Sequence, residues 1–269
     1  MQNMRSEEGG LHLEFVIMSF NLRYWNETDG EHGWPERRDS VAELIRQQNP
    51  LILGTQEGLP SMLEDLDQRL PAYGRIGEGR WAGGENEYNA VYFRRDAVEV
   101  LRWGQFWLSE TPSVPASRSW DSSLPRICTW GILELRSSRR KLAVFNTHLD
   151  HQGSEARERG TELIWQEMDK FVKNGMPCFL TGDFNCRPDS PPIQFLRSRL
   201  VDALHRQGKG EVGTFHGFRG TAAPGPIDYI FTTQDVSVLA AEVLDFAVNG
   251  ILPSDHYPIT AKVSLERRH

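Results

Sequence analysis

Eight polar residues spread along the chain have side chains that could together activate water and stabilise negative charge. They are carboxylates, amides and imidazoles: Asn21, Glu57, His148, Asp183, Asn185, Asp228, Asp255 and His256. Carboxylate and amide oxygens suit a hard divalent cation, and imidazoles transfer protons or form hydrogen bonds with anions. The set therefore predicts metal-assisted acid–base chemistry, for which Mg²⁺ or Mn²⁺ fits better than Zn²⁺.

The spacing of these residues suggests that they share one edge of a sheet. Four of them come at the ends of segments that have the apolar character of buried strands: Asn21, Glu57, His148 and Asp183. A single polar residue at a strand end is usually a loop or cap residue. Paired strands, however, bring their ends to a common edge, where ligands bind in α/β proteins. We therefore expect all eight side chains to converge.

The elements that must position this set alternate along the chain. Helical spacing of apolar residues predicts helices over 35–48, 61–70 and 155–172. Apolar or β-branched segments predict strands over 13–20, 50–53, 88–93, 127–135, 141–147, 178–181, 226–231, 236–246 and 257–263. The surroundings of Trp103 and Trp107 are expected to be irregular. The pattern predicts an α/β protein with layers around a core of two packed sheets.

Length and composition favour one globular domain. The chain has 269 residues, of which 39% are hydrophobic and 25% charged, so it can form a substantial core. Its sequence contains no Pro/Gly/Ser linker or internal repeat that would mark a boundary. We therefore expect a flexible N-terminal segment, residues 1–12, followed by a single domain over residues 13–266.

Charge, apolar run length and cysteine usage argue against several classes of protein. The net charge of −7 disfavours a protein that wraps duplex nucleic acid, although a carboxylate cluster that binds cations can still create a local phosphate site. The longest apolar run is too short to cross a bilayer, and the polar start lacks a secretory signal. We expect a cytoplasmic protein without membrane insertion, whose three cysteines are buried thiols.

The order of motifs along the chain resembles the signature of the endonuclease/exonuclease/phosphatase superfamily. The resemblance covers about residues 13–266 and rests on Ser19-Phe20-Asn21-Leu22-Arg23-Tyr24, Thr55-Gln56-Glu57, Asn146-Thr147-His148-Leu149, Gly182-Asp183-Phe184-Asn185, Ile227-Asp228-Tyr229-Ile230 and Ser254-Asp255-His256-Tyr257-Pro258. Gly-Asp-x-Asn alone is a weak signal, but its combination with the other motifs is specific. The resemblance implies a four-layer α/β sandwich, in which two packed mixed β-sheets are flanked by helices.

The resemblance also implies how a metal ion and the attacking water would be held. Glu57 would be the principal metal ligand, assisted by Asn21 and Asp255. Asp183 and Asn185 would orient or deprotonate the water and could hold a second ion.

Two histidines would then act on the phosphate from opposite sides. His256, positioned by Asp228, would contact the scissile phosphate or act as a base. His148 would lie on the other side and protonate the leaving oxygen. Hydrolysis of a phosphate ester needs an activated nucleophile, charge neutralisation at phosphorus and help for the departing alkoxide, and this allocation covers all three.

Two arginines are candidates for substrate binding. Arg23 stands where some branches of the superfamily place a second acidic metal ligand, and Arg126 lies in the segment Leu124-Pro125-Arg126. A guanidinium matches two phosphate oxygens at once. For both residues a structural ion pair is an equally good interpretation at this stage.

The leading functional hypothesis is a Mg²⁺-dependent phosphoesterase that hydrolyses phosphodiester bonds, with 3′–5′ exonuclease-like activity on single-stranded RNA or nucleotides. It follows from a resemblance to bacterial members near the carbon catabolite repressor-type deadenylase and nocturnin branch. A rim containing Trp25, Trp34 or Trp81 could stack on a base. One alternative is a phosphatase or phosphodiesterase of a small phosphorylated metabolite (a sugar, inositol or lipid head group), and another is a catalytically inactive binding module. The sequence gives no evidence for an obligate protein partner.

Overall fold

Two mixed β-sheets of six strands each pack face to face in the computed structural model, which describes residues 12–84 and 86–266. The strands are β1 His12–Asn21, β2 Ile52–Gln56, β3 Tyr73–Ile76, β4 Val91–Arg94, β5 Val98–Trp107, β6 Ile127–Leu135, β7 Lys141–His148, β8 Cys178–Asp183, β9 Val201–Asp202, β10 Asp228–Thr232, β11 Ser237–Val243 and β12 Ile259–Glu266. The helices are α1 Trp34–Gln48, α2 Pro60–Arg69, α3 Ser154–Val172, α4 Pro191–Arg197 and α5 Ala203–Arg206, with a 3₁₀ segment at Glu27–His32.

Each sheet is organised around one parallel pair of strands at its centre. The first sheet has the order β11-β12-β1-β2-β4-β3, and the second has the order β5-β6-β7-β8-β10-β9. The parallel pairs are β1 with β2 and β7 with β8. Parallel neighbours need a crossover connection, which α1 and α3 supply. The carboxyl ends of these four strands consequently carry four of the predicted site residues, Asn21, Glu57, His148 and Asp183.

Apolar side chains form three clusters that separate the four layers. Residues such as Ile17 and Phe179 fill the space between the sheets. Met18, on the opposite face of β1, packs with residues of α1 and α2. Leu180 packs with residues of α3 and α4 on the outside of the second sheet. Because successive residues of a strand point to opposite faces, strands covered on both sides are apolar throughout. The predicted four-layer α/β sandwich is confirmed.

The observed elements match most of the sequence-based expectations. The long predicted helices correspond to α1 and α3, and all three cysteines are buried free thiols. The expectation of an irregular segment around Trp103 and Trp107 is wrong, because both belong to β5. This edge strand has a register shift and several exposed residues, so it lacks simple apolar alternation. Within the described ranges, no helix is long and apolar enough to span a bilayer.

The predicted N-terminal segment falls mostly outside the described residues. Residues 1–11 are not described, whereas residue 12 is already the first residue of β1. The single domain over 13–266 stays a prediction.

A buried side-chain amide joins the two sheets next to the site. Asn146 of β7 donates from Nδ2 to the carbonyls of Thr55 (2.8 Å) and Ala90 (3.0 Å) in the first sheet and its flank. Its Oδ1 accepts from Gln56 Nε2 (2.7 Å) and Thr181 Oγ1 (3.0 Å). All four hydrogen-bonding positions of the amide are therefore used. Asn146 therefore fixes the position of β2 relative to β7.

A glycine of β2, Gly54, leaves the space that the Asn146 amide occupies. A Cβ atom at Gly54 would lie 2.6 Å from Asn146 Oδ1 and would also collide with Thr181 Oγ1. Such a contact forces either the strand or the amide to move. The close approach of the sheets at this point therefore requires glycine.

We expect Asn146→Ala to lower the free energy of unfolding by about 2–4 kcal/mol, because it leaves buried donors and acceptors in both sheets without partners. Urea unfolding followed by circular dichroism measures the change. Asn174→Ala, at an exposed asparagine after α3, is the matched control and should change the value by less than about 0.5 kcal/mol. A loss no larger than that of the control would contradict the bridging role of Asn146.

Candidate active site

Three predicted site residues from both sheets meet through one amide. Asn21, at the end of β1, donates from Nδ2 to Glu57 Oε1 and to Asp183 Oδ2, at 3.0 Å in each case. The other oxygen of Glu57 accepts from the backbone N–H of Tyr24 at 2.9 Å. Two carboxylates from different sheets are thus held on either side of an amide. In this arrangement Asn21 positions the carboxylates, and its predicted role as a metal ligand stays a prediction.

Three residues around this cluster adopt left-handed backbone conformations. The φ angles are 53° at Arg23, 63° at Glu57 and 47° at Asn185. Asparagine tolerates this region, whereas glutamate and arginine seldom occupy it. Residues held in such conformations concentrate at functional sites, since the surrounding structure must compensate for the strain. Here the sharp change of direction after β2 and β8 places the Glu57 and Asn185 side chains beside the strand ends.

Asp255 approaches the cluster from the loop before β12. The Ser254 hydroxyl donates to the Asn21 carbonyl at 2.7 Å, which ties this loop to the end of β1. The same hydroxyl oxygen lies 3.3 Å from Asp255 Oδ1. Arg23 makes a bidentate ion pair with Asp29 at 3.0 and 2.9 Å, and its Nε lies 3.9 Å from Asp255 Oδ2. Arg23 therefore has a structural ion pair and also borders the site.

A buried arginine that the sequence analysis missed holds two loops of the site together. The guanidinium of Arg37, in α1, is fully buried. It donates to the carbonyls of Leu22 and Arg23 after β1 and to that of Pro253 before Asp255. Its position in a run of charged residues in α1 gave no sign of this role. Arg37 fixes the loop of Asp255 relative to β1.

His256 forms the second half of the site with two buried carboxylates. Its Nδ1 lies 2.9 Å from Asp228 Oδ2, and its Nε2 lies 3.8 Å from Asp183 Oδ2. Burial alone would lower the pKa of His256, but the adjacent Asp228 carboxylate outweighs burial and raises that pKa well above its usual value. The imidazole is therefore protonated at neutral pH and presents a cationic N–H beside Asp183.

His148 lies on the other side of Asp183 in a different electrostatic environment. Its Nε2 is 3.5 Å from Asp183 Oδ2 and 3.0 Å from Asn185 Nδ2. Burial, followed by the positive charges of Arg126 and Arg80, holds the pKa of His148 well below its usual value. His148 is therefore neutral at neutral pH. One cationic and one neutral imidazole thus flank the same carboxylate.

The electrostatics of the acidic groups fit a cation. Burial, then the neighbouring Asp228 charge, raises the pKa of Asp183, and Glu57 adds to the effect. Burial also raises the pKa of Asp255. One set of possible ligand atoms, from Glu57, His148 and Asp183, lies within 4.8 Å of one another. A second set, from Asp183, Asp228 and His256, is equally close, but the protonated imidazole of His256 cannot bind a cation. Crowded, desolvated carboxylate oxygens are the donor set that Mg²⁺ or Mn²⁺ prefers, so the residues present fit such an ion.

Arg126 lies at the edge of the site beside His148. With Arg80 and Glu87 it lines a narrow pocket next to that histidine. Arg126 is buried, and its Nε lies 3.5 Å from Asp150 Oδ2. Arg80 forms an ion pair with Glu87. Both guanidiniums are thus compensated by carboxylates, and the predicted contact of Arg126 with substrate stays a prediction.

Asp150 is a second buried residue that the sequence analysis missed. It accepts from the hydroxyl of Ser123 (2.7 Å) and from the backbone N–H groups of Ser123 and Gly153. These bonds join the segment that carries Arg126 to the start of α3. Its position two residues after His148 is the only feature of the sequence that indicates this linking role of Asp150.

Two of the three tryptophans predicted to form an aromatic rim are exposed, and the rim itself stays a prediction. Trp25 and Trp81 are 43% and 41% exposed. Trp34 is 2% exposed, and its Nε1 donates to Asp65 at 2.9 Å, so its inclusion in the rim was wrong. Its position at the start of α1 directs the indole inward against α2. Phe215, which was not predicted, is 45% exposed and lies next to His256.

Solved structures with the same fold were found over nearly the whole chain. An endonuclease/exonuclease/phosphatase from Bacteroides vulgatus is 33% identical, with a TM-score of 0.89, and the match covers 94% of this chain and 100% of that chain. A mannosyl-6-phosphatase from Bacteroides thetaiotaomicron is 31% identical, with a TM-score of 0.85 and coverage of 93% and 99%. The human nocturnin catalytic domain is 20% identical, with a TM-score of 0.73 and coverage of 93% of each chain, a likeness of fold alone.

The family assignment rests on a match that spans both sheets and the site. The sequence profile of the Endonuclease/Exonuclease/phosphatase family matches residues 18–256, which begins within β1 and ends at His256. Members of this family are metal-dependent hydrolases of phosphate esters, and they include nucleases and phosphatases. The chain belongs to the endonuclease/exonuclease/phosphatase family.

Proposed function

We propose that this protein is a Mg²⁺-dependent hydrolase of a small phosphate ester, with a phosphorylated sugar as the leading substrate class. The observation that carries the proposal is the convergence of a cationic and a neutral imidazole on Asp183. His256 Nε2 and His148 Nε2 lie 3.8 and 3.5 Å from the same carboxylate oxygen. Titratable groups whose environments push their pKa values apart mark acid–base roles.

The side chains divide the work at the phosphate. Asp183 accepts a proton from the attacking water, because burial raises its proton affinity, and the Asn185 amide orients that water. His256, kept protonated by Asp228, donates a hydrogen bond to a phosphate oxygen where negative charge develops. Because His256 is already protonated, it is better suited to contact the phosphate than to act as a base.

His148 completes the site from the opposite side. Its neutral state suits a hydrogen bond to the phosphate or to the leaving oxygen better than the donation of a proton to that oxygen. The departing alkoxide therefore takes its proton from solvent water, and Asp183 returns the proton of the attacking water to solvent. A divalent ion held by Glu57 and Asp255, with Asn21 as a further candidate ligand, would polarise the phosphate and neutralise its charge when bound.

Charge and similarity support a small substrate over a long nucleic acid. The net charge of −7 provides no general attraction for a polyanion. The two arginines predicted to bind substrate, Arg23 and Arg126, are already paired with carboxylates. The Bacteroides mannosyl-6-phosphatase is also more similar in sequence than nocturnin, at 31% against 20% identity.

Single-stranded nucleic acid is the second candidate substrate. The exposed indoles of Trp25 and Trp81 favour it, because base stacking on an aromatic ring can replace a long basic groove. The 3′–5′ exonuclease-like activity expected from the sequence belongs to this candidate.

We expect chelation to abolish activity and Mg²⁺ or Mn²⁺ to restore it, because the site offers oxygen ligands to a hard cation. Glu57→Gln should weaken Mn²⁺ binding at least about tenfold, as measured by calorimetry. Glu158→Gln, at an exposed position of α3, should bind the ion normally. Full turnover after chelation, or unchanged affinity in Glu57→Gln, would exclude Glu57 as the principal ligand.

We expect Asp183→Asn and His256→Ala to fold normally and to lose at least about 10²-fold in kcat, the scale of one positioned acid–base group. Steady-state kinetics and thermal unfolding measure the two properties separately. Asp189→Asn and His205→Ala change exposed residues and should retain wild-type kcat. Near wild-type turnover in either site variant would refute the catalytic role of that residue.

We expect initial rates to rank mannose 6-phosphate and related small esters first, single-stranded RNA second and plasmid duplex last. Because Arg23 and Arg126 are paired with carboxylates, we also expect the rate to depend only weakly on salt. Rates at two salt concentrations test both points. Preferential nicking of plasmid with a steep loss of rate in salt would contradict the proposed substrate class.

A further inference from the structure

An exposed phenylalanine lies directly against the cationic histidine of the site. The ring of Phe215 is 4.9 Å from that of His256, centroid to centroid, at an interplanar angle of 59°. Phe215 is 45% exposed, whereas His256 is 5% exposed. Scattered exposed apolar residues are common on protein surfaces, so exposure alone does not identify a ligand contact. Two further features distinguish Phe215: its ring lies beside His256, and its backbone is anchored by hydrogen bonds.

The backbone on both sides of Phe215 is bonded to the segments that carry the site. Phe215 forms an isolated antiparallel bridge with His256. Tyr257 N donates to the Thr214 carbonyl at 2.7 Å, and His216 N donates to the Asp255 carbonyl at 2.9 Å. The backbone of Phe215 is therefore held beside the site by the same segment that carries His256.

A further hydrogen bond joins the loop of Phe215 to β10. Thr214 is fully buried, and its Oγ1 accepts from the backbone N–H of Asp228 at 3.3 Å. The loop before Phe215 is consequently anchored to β10, which carries the partner of His256. A ring with two such anchors presents a fixed surface at little cost in conformational entropy.

The other aromatic residues of the same loop face the protein instead. His216 is 3% exposed and packs against Tyr257, with ring centroids 4.1 Å apart. Phe218 stacks on His32, with centroids 4.3 Å apart and planes within 1°. These contacts account for both residues as loop packing. Phe215 differs because much of its surface remains open next to His256.

We infer that Phe215 is a specificity-determining residue that forms one wall of the site for the alcohol part of the substrate and favours phosphate esters of ring-bearing sugars. The inference rests on the proposed function. A phosphate held by His256 must direct its ester group away from the buried carboxylates, and Phe215 is the apolar surface next to that histidine. The electron-rich face of an aromatic ring complements the C–H face of a pyranose or furanose, whereas an acyclic polyol presents no such flat face.

The test compares a cyclic and an acyclic phosphate ester in the Mg²⁺-loaded enzyme. For mannose 6-phosphate, Phe215→Ala should lower kcat/KM roughly tenfold, mainly through a higher KM, as expected for the loss of one aromatic contact. For glycerol 3-phosphate the same variant should change kcat/KM less than about twofold. Phe215→Tyr retains the ring and should behave as wild type towards both. Trp103→Ala, which removes an exposed aromatic side chain in the middle of β5, is the matched control.

The outcomes separate this inference from the proposed function. If the wild type hydrolyses mannose 6-phosphate and Phe215→Ala is unchanged, or loses activity equally on both esters, the specificity role is refuted while the proposed function stands. If the wild type hydrolyses neither ester but degrades single-stranded RNA, the proposed substrate class is wrong and this inference falls with it. Calorimetric binding of mannose 6-phosphate to Asp183→Asn, with and without Phe215→Ala, must show the same roughly tenfold loss of affinity.

Discussion

The geometry of this protein depends on the hydrogen bonds by which Asn146 joins its two sheets. Apolar contacts between sheets are non-directional and tolerate sliding, whereas a buried amide with four partners tolerates one arrangement. Glu57 follows Gln56, a partner of Asn146, and Asp183 lies two residues after Thr181, another partner. The same bonds therefore set the distance between carboxylates that belong to different sheets.

The site that results contains charges that the fold alone leaves poorly compensated. Asp183 is buried near Asp228 and Glu57, and one amide, Asn21, separates it from Glu57. Two βαβ units, one in each sheet, deliver these carboxylates to a common edge. A bound cation would supply the positive charge that this edge lacks. It would also attract the phosphate of the substrate to an otherwise acidic site.

Local sequence patterns predicted most of the fold and the identities of the candidate site residues, because buried strands are apolar throughout and their ends carry polar groups. They did not reveal Arg37, which donates to backbone carbonyls of separate loops. They also missed Asp150, which joins Ser123 to the start of α3. They also misplaced Trp34, since an indole at a helix start can face either way until a second helix packs against it. Phe215 escaped notice for a related reason: only the isolated bridge between its loop and the segment of His256 brings it to the site.

The left-handed conformation of Glu57 has a consequence for the evolution of heat resistance. An l-residue in this region carries strain of about 1–3 kcal/mol, which glycine would not experience. Glycine at this position would relieve that strain, but it would leave Asn21 Nδ2 and the Tyr24 N–H without the oxygens that accept from them. Stability and turnover make opposite demands on the backbone at this residue. The strained φ angle of Glu57 is kept because the side chain builds the site.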